Sequence, residues 1–467
     1  MKFNFSILST CKAEFCAEGL IKEPIEAILS ARIGKIEINK DNQHNPDGPG
    51  ISLSIETPAF VKYTKNGIQP HILPDVEKKF PKPDISQIYI EHFLEKDTPS
   101  FNNYKDGIHK FLGLDENDSI AFFDILDPTN NKRTYSKPSN QHLTAETSGG
   151  LRKLTPELYS QLIKNLKPEM CISLADYLFM TSEEAVKGKK IAKSIERTIN
   201  WLDKILLVDE AKNSAIFVPL MGSVIPEART KFIELLKSRK YDGVVLVDYT
   251  TQLDLAHQIS VAKASLESIP TDKPRFLLGF SAPDEVIIGI RNGIDMFLST
   301  YPFAVTEHGF ASTYSFVDDL KMSNFPKDKI QSSTLNLWDS SMKDDFRPIT
   351  ESCNCYSCSK HTRAYINHLL NTQEMLATVL LQIHNQHVYD KFFKDIRTSI
   401  KNQKFYSLSE EFLLRYGSRF SSSNAIQKNG SEQSSSDIDY PFNETNVFDP
   451  RKPTPTTKEK IKRFDLS

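Results

Sequence analysis

Ser214-Ala215-Ile216-Phe217-Val218-Pro219-Leu220-Met221 and, after one amphipathic stretch, Gly243-Val244-Val245-Leu246-Val247-Asp248-Tyr249 decide the fold. Neither run alternates apolar with polar residues, so neither reads as a strand with one wet face. Near-continuous apolar strands are buried on both faces, the habit of parallel sheets covered by helices. Between the two, Pro226-Glu227 opens a helix whose Phe232, Leu235 and Leu236 recur at helical spacing. Outward from this core the same alternation extends over residues 119 to 303. Further strand candidates are Ser119–Leu126, Cys171–Asp176, Arg275–Ser281 and Met296–Phe303. Thr155-Pro156-Glu157 is an N-cap, a Pro at the first helical position and an acid in the first turn, followed by Leu158, Leu162, Ile163 and Leu166. Other helices are expected from near Ser182-Glu183-Glu184 to Leu206, from Asp254 to Ser268 before Pro270, and from Asp284 to Asn292, where Gly293 supplies the helix stop. Strand-helix repetition of this length builds βαβ units. The expected fold is α/β, a (β/α)₈ TIM barrel, with an open doubly wound sheet as the alternative.

Residues 1–80 carry more turn signals, such as Asn45-Pro46-Asp47-Gly48-Pro49-Gly50, and read as an N-terminal β-rich layer. Residues 81–420 hold the barrel. Residues 421–467, with Ser421-Ser422-Ser423, Ser434-Ser435-Ser436 and a Lys-, Pro- and Thr-rich end, have too few apolar side chains to offset the entropy of ordering and read as a disordered tail. No internal repeat is visible.

A formal net charge of -2 over 467 residues gives no global basic field, so a nucleic-acid partner has to be met by a local surface. No apolar run approaches the ~20 residues that span a bilayer. The opening Met1-Lys2-Phe3-Asn4-Phe5-Ser6-Ile7-Leu8 starts like a signal peptide, but Thr10, Lys12 and Glu14 interrupt it, and it reads better as a first strand. The expectation is a cytoplasmic protein. Six cysteines agree with that: three crowd into one motif, while Cys11, Cys16 and Cys171 are scattered, which is the arithmetic of a metal site and not of a disulfide framework.

That motif is Cys353-Asn354-Cys355-Tyr356-Ser357-Cys358. Three thiolates this close can wrap one ion, and Zn²⁺ asks for a fourth ligand to complete a tetrahedron. Asn371 with Glu374 resembles a capping box, and the helix it would start carries Leu376, Val379, Leu380 and Ile383 on its inward face together with His384. His384 is the best candidate, with His361, His368 and His387 as rivals. Three thiolates and one imidazole make a closed shell, which is structural and leaves no place for an activated water.

Cys353-x-Cys355-x-x-Cys358-x-x-His361-Thr362-Arg363-Ala364-Tyr365-Ile366-x-His368-Leu369-Leu370, followed by His384-Asn385, resembles the zinc region of the tRNA-guanine transglycosylase family. Pro283-Asp284-Glu285-Val286, Gly293-Ile294-Asp295-Met296-Phe297 and Ser148-Gly149-Gly150 resemble its barrel motifs, and the likeness runs from about residue 80 to 400. The resemblance implies a (β/α)₈ barrel with an inserted zinc-binding subdomain at about 345–400, and one Zn²⁺ on Cys353, Cys355, Cys358 and His384. It also implies exchange of a guanine in the tRNA anticodon loop for queuine or a precursor. In the family an aspartate captures the ribose carbon and a second aspartate handles protons on the bases.

This sequence departs from the family at both positions. The residue after Asp295-Met296-Phe297, where the resemblance implies the nucleophile, is Leu298, which has no lone pair to offer. The residue before Ser148-Gly149-Gly150 is Thr147, no proton acceptor at neutral pH. The stretch after the nucleophile is altered to Tyr301-Pro302-Phe303-Ala304. Asp295 lies three residues from Leu298, an odd offset that points it to the other face of a strand; a packing or capping role is expected. Asp176 matches the position that recognises the base, and reads equally as a pocket residue or a loop cap.

Loss of both carboxylates resembles the non-catalytic branch of the family. That implies a heterodimer with a catalytic queuine tRNA-ribosyltransferase subunit, binding of tRNA, a possible homodimer when alone, and possible peripheral association with the mitochondrial outer membrane. The alternatives are an active base-exchange enzyme with an unrecognised nucleophile and a zinc-stabilised scaffold unrelated to tRNA. Lys190, Lys193, Arg197 and Lys204 form a stripe at helical spacing, readable as phosphate contacts or as a solvated face. Lys360, His361 and Arg363 make a second basic cluster, and Lys458, Lys460, Lys462 and Arg463 a third.

Overall fold

The computed structural model describes residues 1–11, 30–40, 50–94, 104–129, 139–147, 149–178, 188–208, 213–247, 255–279, 281–317 and 331–416. The Asn45–Gly50 turn apart from Gly50, the Ser182-Glu183-Glu184 helix start, Cys16, Ser148 and the tail lie outside them. Three antiparallel strands come first: β1 (Lys2–Thr10), β2 (Arg32–Lys40) and β3 (Ile51–Thr57). The barrel strands follow: β4 (Ala59–Tyr63), β5 (Asp84–Tyr89) and β6 (Ser119–Asp124). A hairpin of β7 (Leu143–Thr147) and β8 (Gly150–Leu154) intervenes. Then come β9 (Met170–Ile172), β10 (Ala215–Leu220), β11 (Gly243–Leu246), β12 (Arg275–Gly279) and β13 (Met296–Ser299). β4–β6 and β9–β13 pair in parallel and close into a ring through β13 and β4. The apolar runs therefore make a closed eight-stranded barrel, not an open sheet.

Short helices α1 (Pro74–Glu77) and α2 (Ile108–Leu112) precede the longer ones: α3 (Pro156–Leu166), α4 (Gly188–Leu206), α5 (Pro226–Leu236), α6 (Leu255–Leu266), α7 (Pro283–Arg291) and α8 (Tyr301–Glu307). Their starts follow the signals in the sequence. Thr155 Oγ1 accepts the Leu158 N–H at 3.2 Å as an N-cap, and Gly293 sits at φ 77° just past α7. Several expectations shift: Ser119–Leu126 is a strand only to Asp124, and Cys171–Asp176 is replaced by the short Met170–Ile172, so Asp176 lies off the strand. The run Met296–Phe303 is a strand only to Ser299, because Tyr301-Pro302 starts α8 with Pro near its N-terminus. The first barrel strand, β4, lies within residues 1–80. Lys62 hid it: this lysine points away from the lumen and is buried by ion pairs to Glu77 and Asp84.

Side chains alternate across the barrel wall. Phe122, Phe217 and Phe276, from every second strand, meet inside: the ring centroids are 5.7 Å apart for Phe122–Phe217, 5.6 Å for Phe122–Phe276 and 4.5 Å for Phe217–Phe276. Such a layer fills the lumen as packed core. Phe3 of β1 stands edge-on to Phe217 at 5.8 Å, so the N-terminal sheet closes this end of the barrel. The opposite end, at the strand C-termini, is the mouth.

After α8 the chain pairs β14 (Phe310–Ser312) with β15 (Thr334–Asn336), then forms α9 (Tyr356–Lys360), α10 (Arg363–Asn371), α11 (Met375–Lys401) and α12 (Phe405–Arg415). A second small core gathers Leu337, Ile349, Ile366, Leu369, Leu370, Leu380 and Leu381. α11 is the shared element. Its first turns join this small core, Tyr389 and Phe393 pack on Phe60 of β4, and Arg397 donates to the Pro58 carbonyl at 2.6 Å. Asn371 does not cap α11: it ends α10 and donates to Asn367, and Glu374 is the residue before α11. Leu376, expected inside, is exposed, and Val379 is half-buried.

Candidate metal centre and barrel mouth

Cys355 does two things at once. It is the N-cap of α9, its sulfur accepting the Cys358 N–H at 3.4 Å, and that turn brings Cys358 back beside it. Ser357 Oγ donates to the Leu380 carbonyl at 2.6 Å and lays α9 on α11. His384 then reaches the cysteines from the buried face of α11. Its Nδ1 lies 3.7 Å from Cys353 Sγ, 3.6 Å from Cys355 Sγ and 3.3 Å from Cys358 Sγ. With metal–sulfur bonds of about 2.3 Å and a metal–nitrogen bond of about 2.0–2.1 Å, a tetrahedral shell sets each sulfur about 3.5 Å from the nitrogen. The four atoms thus fit around one ion, and all lie within 4.8 Å of one another. Nε2 donates to the Ser312 carbonyl at 2.8 Å, which places the ring proton there and leaves Nδ1 as the ligand atom. Burial opposes a charge on His384, but the Cys355 and Cys358 sulfurs outweigh it and lift the imidazole to about 9, so a proton and an ion compete for Nδ1. The rival His361 stacks on Tyr365 instead, at 5.1 Å.

At the mouth, Leu298 faces the lumen. Its neighbours in β13 face out: Phe297 packs on Phe393, and Ser299 Oγ bonds Tyr389 Oη at 2.9 Å. Asp295 also faces away from the mouth, at the closed end, where it pairs with Arg32. Thr147 ends β7 in the hairpin, not a barrel strand, and donates to the Gly150 carbonyl at 2.9 Å. Among the described residues, a carboxylate that ends a strand at the mouth is Asp124 of β6, buried, accepting from Gln87 Nε2 at 2.7 Å and from the Ile125 N–H at 2.6 Å. Sequence reading passed over it. The signal was present: an acid within an apolar run, Phe122-Phe123-Asp124, at the C-terminal end of a barrel strand. Asp176 lies beyond β9 and is paired with Arg197 of α4 at 2.8 Å; burial raises its pKa and the Arg197 hydrogen bond opposes the rise.

A second group, Glu91, His92 and Asp127, also falls within ion-binding distance. Here the donors are already spoken for. His92 Nδ1 accepts the Asn66 N–H at 3.1 Å, which leaves the ring proton on Nε2, donated to Asp127 at 2.8 Å. Asp127 further accepts from Tyr63 Oη at 2.9 Å and from the Thr129 N–H at 2.8 Å. This is a hydrogen-bonded network, and a protonated nitrogen cannot ligate.

The basic stripe divides. Lys190 and Lys193 are exposed, whereas Arg197 holds Asp176 and Asn140, and Lys204 pairs with Glu157. Arg363 is also internal, donating to Asp345, Pro348 and Ile349. In the segment that holds the Cys₃His cluster several large apolar side chains face solvent: Phe346 (76%), Tyr356 (55%), Tyr365 (38%) and Met375 (84%).

Fold and cluster together define a (β/α)₈-barrel protein with an appended Cys₃His metal centre. The family profile of Queuine tRNA-ribosyltransferase matches residues 28–418, and the chain belongs to that family. It is similar to Queuine tRNA-ribosyltransferase accessory subunit 2 of Homo sapiens, with 29% identity over 416 residues, 82% of this chain and 97% of that one. The protein of the same name in Danio rerio is 28% identical over 419 residues, 83% of this chain and 97% of its own length. That of Drosophila yakuba is 30% identical over 407 residues, 84% and 91%. Among the described residues, no helix is long and apolar enough to cross a membrane.

Proposed function

We propose that this chain is the non-catalytic subunit of a queuine tRNA-ribosyltransferase, supporting exchange of guanine for queuine at the tRNA wobble position by pairing with a catalytic homologue and helping to seat tRNA. One observation carries this reading: the lumen-facing residue near the end of β13 is Leu298, a hydrocarbon where a nucleophile would have to stand. The name shared by the similar proteins, accessory subunit 2, supports it. The metal is read as one Zn²⁺ held by Cys353, Cys355, Cys358 and His384. When bound, it supplies cross-linking, not chemistry, because four protein ligands close its shell. The chain's own atoms do the rest. α9 and α11 are pinned together, and the aromatic side chains Tyr356 and Tyr365, with His361 between them, are presented as a surface for the partner subunit.

A second reading, an active base-exchange enzyme, draws on Asp124, a carboxylate at the mouth. Two measurements separate these readings. Native mass spectrometry of the chain, a catalytic homologue and tRNA is expected to show a heterodimer that retains tRNA and carries zinc. Single-turnover trapping on the chain alone is expected to give no covalent tRNA adduct. An adduct would mean the chain is an enzyme. A chain that pairs only with itself would remove the partner from the proposal.

A further inference from the structure

Ser312 is held at both of its backbone polar groups, in the two peptides that flank its Cα, by two consecutive side chains of α11. His384 Nε2 donates to its carbonyl at 2.8 Å, and Asn385 Oδ1 accepts its N–H at 2.8 Å. Asn385 has no exposed surface. Its amide nitrogen uses both protons, one on Thr306 Oγ1 at 2.9 Å and one on the Phe310 carbonyl at 3.1 Å. Thr306 Oγ1 in turn donates to the Pro302 carbonyl at 2.8 Å, inside α8. Hydrogen bonds linked through the Ser312 backbone and the Asn385 amide therefore connect His384 to the helix that follows β13.

We propose that Asn385 is the positioning residue of the metal centre. It is not a ligand. It acts through Ser312: by holding the N–H on one side of the Ser312 Cα it restrains the residue whose carbonyl, on the other side, holds the His384 proton on Nε2 and turns Nδ1 toward the three sulfurs. Through Thr306 it also anchors the centre to the barrel, so the ligand helix and the barrel wall share one hydrogen-bonded frame. Outer partners of this kind tune a site by setting ring orientation and tautomer, and their loss typically weakens metal binding about 10–100-fold. The proposal rests on reading the Cys₃His cluster as a metal centre.

The test uses the full chain. Asn385→Asp keeps the size and the acceptor but replaces both donors, setting an oxygen against the Phe310 carbonyl. Zn²⁺ release to a chromogenic chelator is measured alongside the visible absorption of the Co²⁺-substituted protein and the melting temperature. Release about 10–100-fold faster with a shifted Co²⁺ spectrum, at a temperature where the fold is intact, is the expected result. Thr306→Val, which preserves shape and removes the acceptor of one Asn385 proton together with a donor internal to α8, is expected to speed release several-fold and serves if Asn385→Asp does not fold. Variants that melt earlier yet release Zn²⁺ at the wild-type rate, with an unchanged Co²⁺ spectrum, reduce Asn385 to a packing residue and overturn the proposal. A wild-type chain that takes up neither metal overturns the metal reading itself, and this inference with it.

Discussion

Arg32 and Asp295, 263 residues apart, form a two-point ion pair with both side chains buried: Nε to Oδ1 at 2.7 Å and Nη2 to Oδ2 at 2.6 Å. Asp295 also accepts the Arg275 N–H at 2.8 Å, and Arg32 donates to the Thr271 and Lys273 carbonyls. The pair rivets the N-terminal sheet to the closed end of the barrel. It also gives Asp295 a structural employment remote from the mouth. Asp295→Asn or Arg32→Met leaves a buried charge without its partner and is expected to lower stability by about 3–5 kcal/mol. Urea unfolding of the two single variants and of an Arg32→Met/Asp295→Leu double variant measures it. The double variant is expected to recover much of the loss, and equal loss in all three would show that packing, not charge, is responsible.

Metal removal is expected to act locally first. Chelation, or Cys355→Ser, frees the α9 turn from α11, so hydrogen exchange at Leu380 and Leu381 is expected to rise while Val244 and Val245, deep in the barrel, keep their protection. Acid does the same, since protons compete with the ion for sulfur and imidazole. Metal content per chain, measured from pH 8 down to pH 5, is expected to fall together with that protection.

Asp390 of α11 is expected to make stability fall with rising pH. Burial pushes its carboxyl up to about 7, against the opposing pull of Gln386 and Lys62, with Asp84 adding to the rise and Arg397 opposing it. In the unfolded chain the same group titrates near about 3.9. The folded state therefore binds the proton more tightly. The contribution is whole below pH 4 and disappears as pH rises through 7. Asp390→Asn is expected to match the wild type at pH 4 and to exceed it at pH 8, by something on the order of 1–2 kcal/mol. Thermal melts across that range check the slope, and parallel curves for the two proteins would remove Asp390 from the account.

Tyr365→Asp addresses the surface beside the metal centre. Tyr365 is partly exposed and stacks on His361, so the change leaves the interior untouched. Central aromatic residues of an interface often contribute about 2 kcal/mol or more. Pairing with the catalytic homologue is expected to weaken more than about tenfold, with metal content and melting temperature unchanged. Sedimentation of the mixture at graded concentrations reads this directly.

The parts of the molecule legible in the sequence are those where one local rule acts alone. Thr155 ahead of Pro156 starts a helix because cap and proline agree, and Val244-Val245-Leu246 makes a strand because no polar residue interrupts it. Cys353, Cys355 and Cys358 announce their cluster by spacing. What stayed hidden depended on partners far along the chain. β4 was obscured by Lys62, whose burial is understandable only with Glu77 and Asp84 in place. Asn371 looked like a cap for α11 because Glu374 follows at capping-box spacing, but α10 claims it first. Asp124 was missed because the apolar run reads on through Ile125 and Leu126, and only the closed ring shows that the strand stops at Asp124 and that this end opens on the mouth.

Ring closure also orders events in time. β4 lies at residues 59–63 and its neighbour across the seam, β13, at residues 296–299. During synthesis the early strand must wait, one edge bare, until the polypeptide has grown past Ser299, and Phe3 waits nearly as long for Phe217 to fill the floor. A nascent chain with so long an unsealed seam is exposed to mispairing, and its production is expected to depend on ribosome-associated chaperones more than its finished stability would suggest.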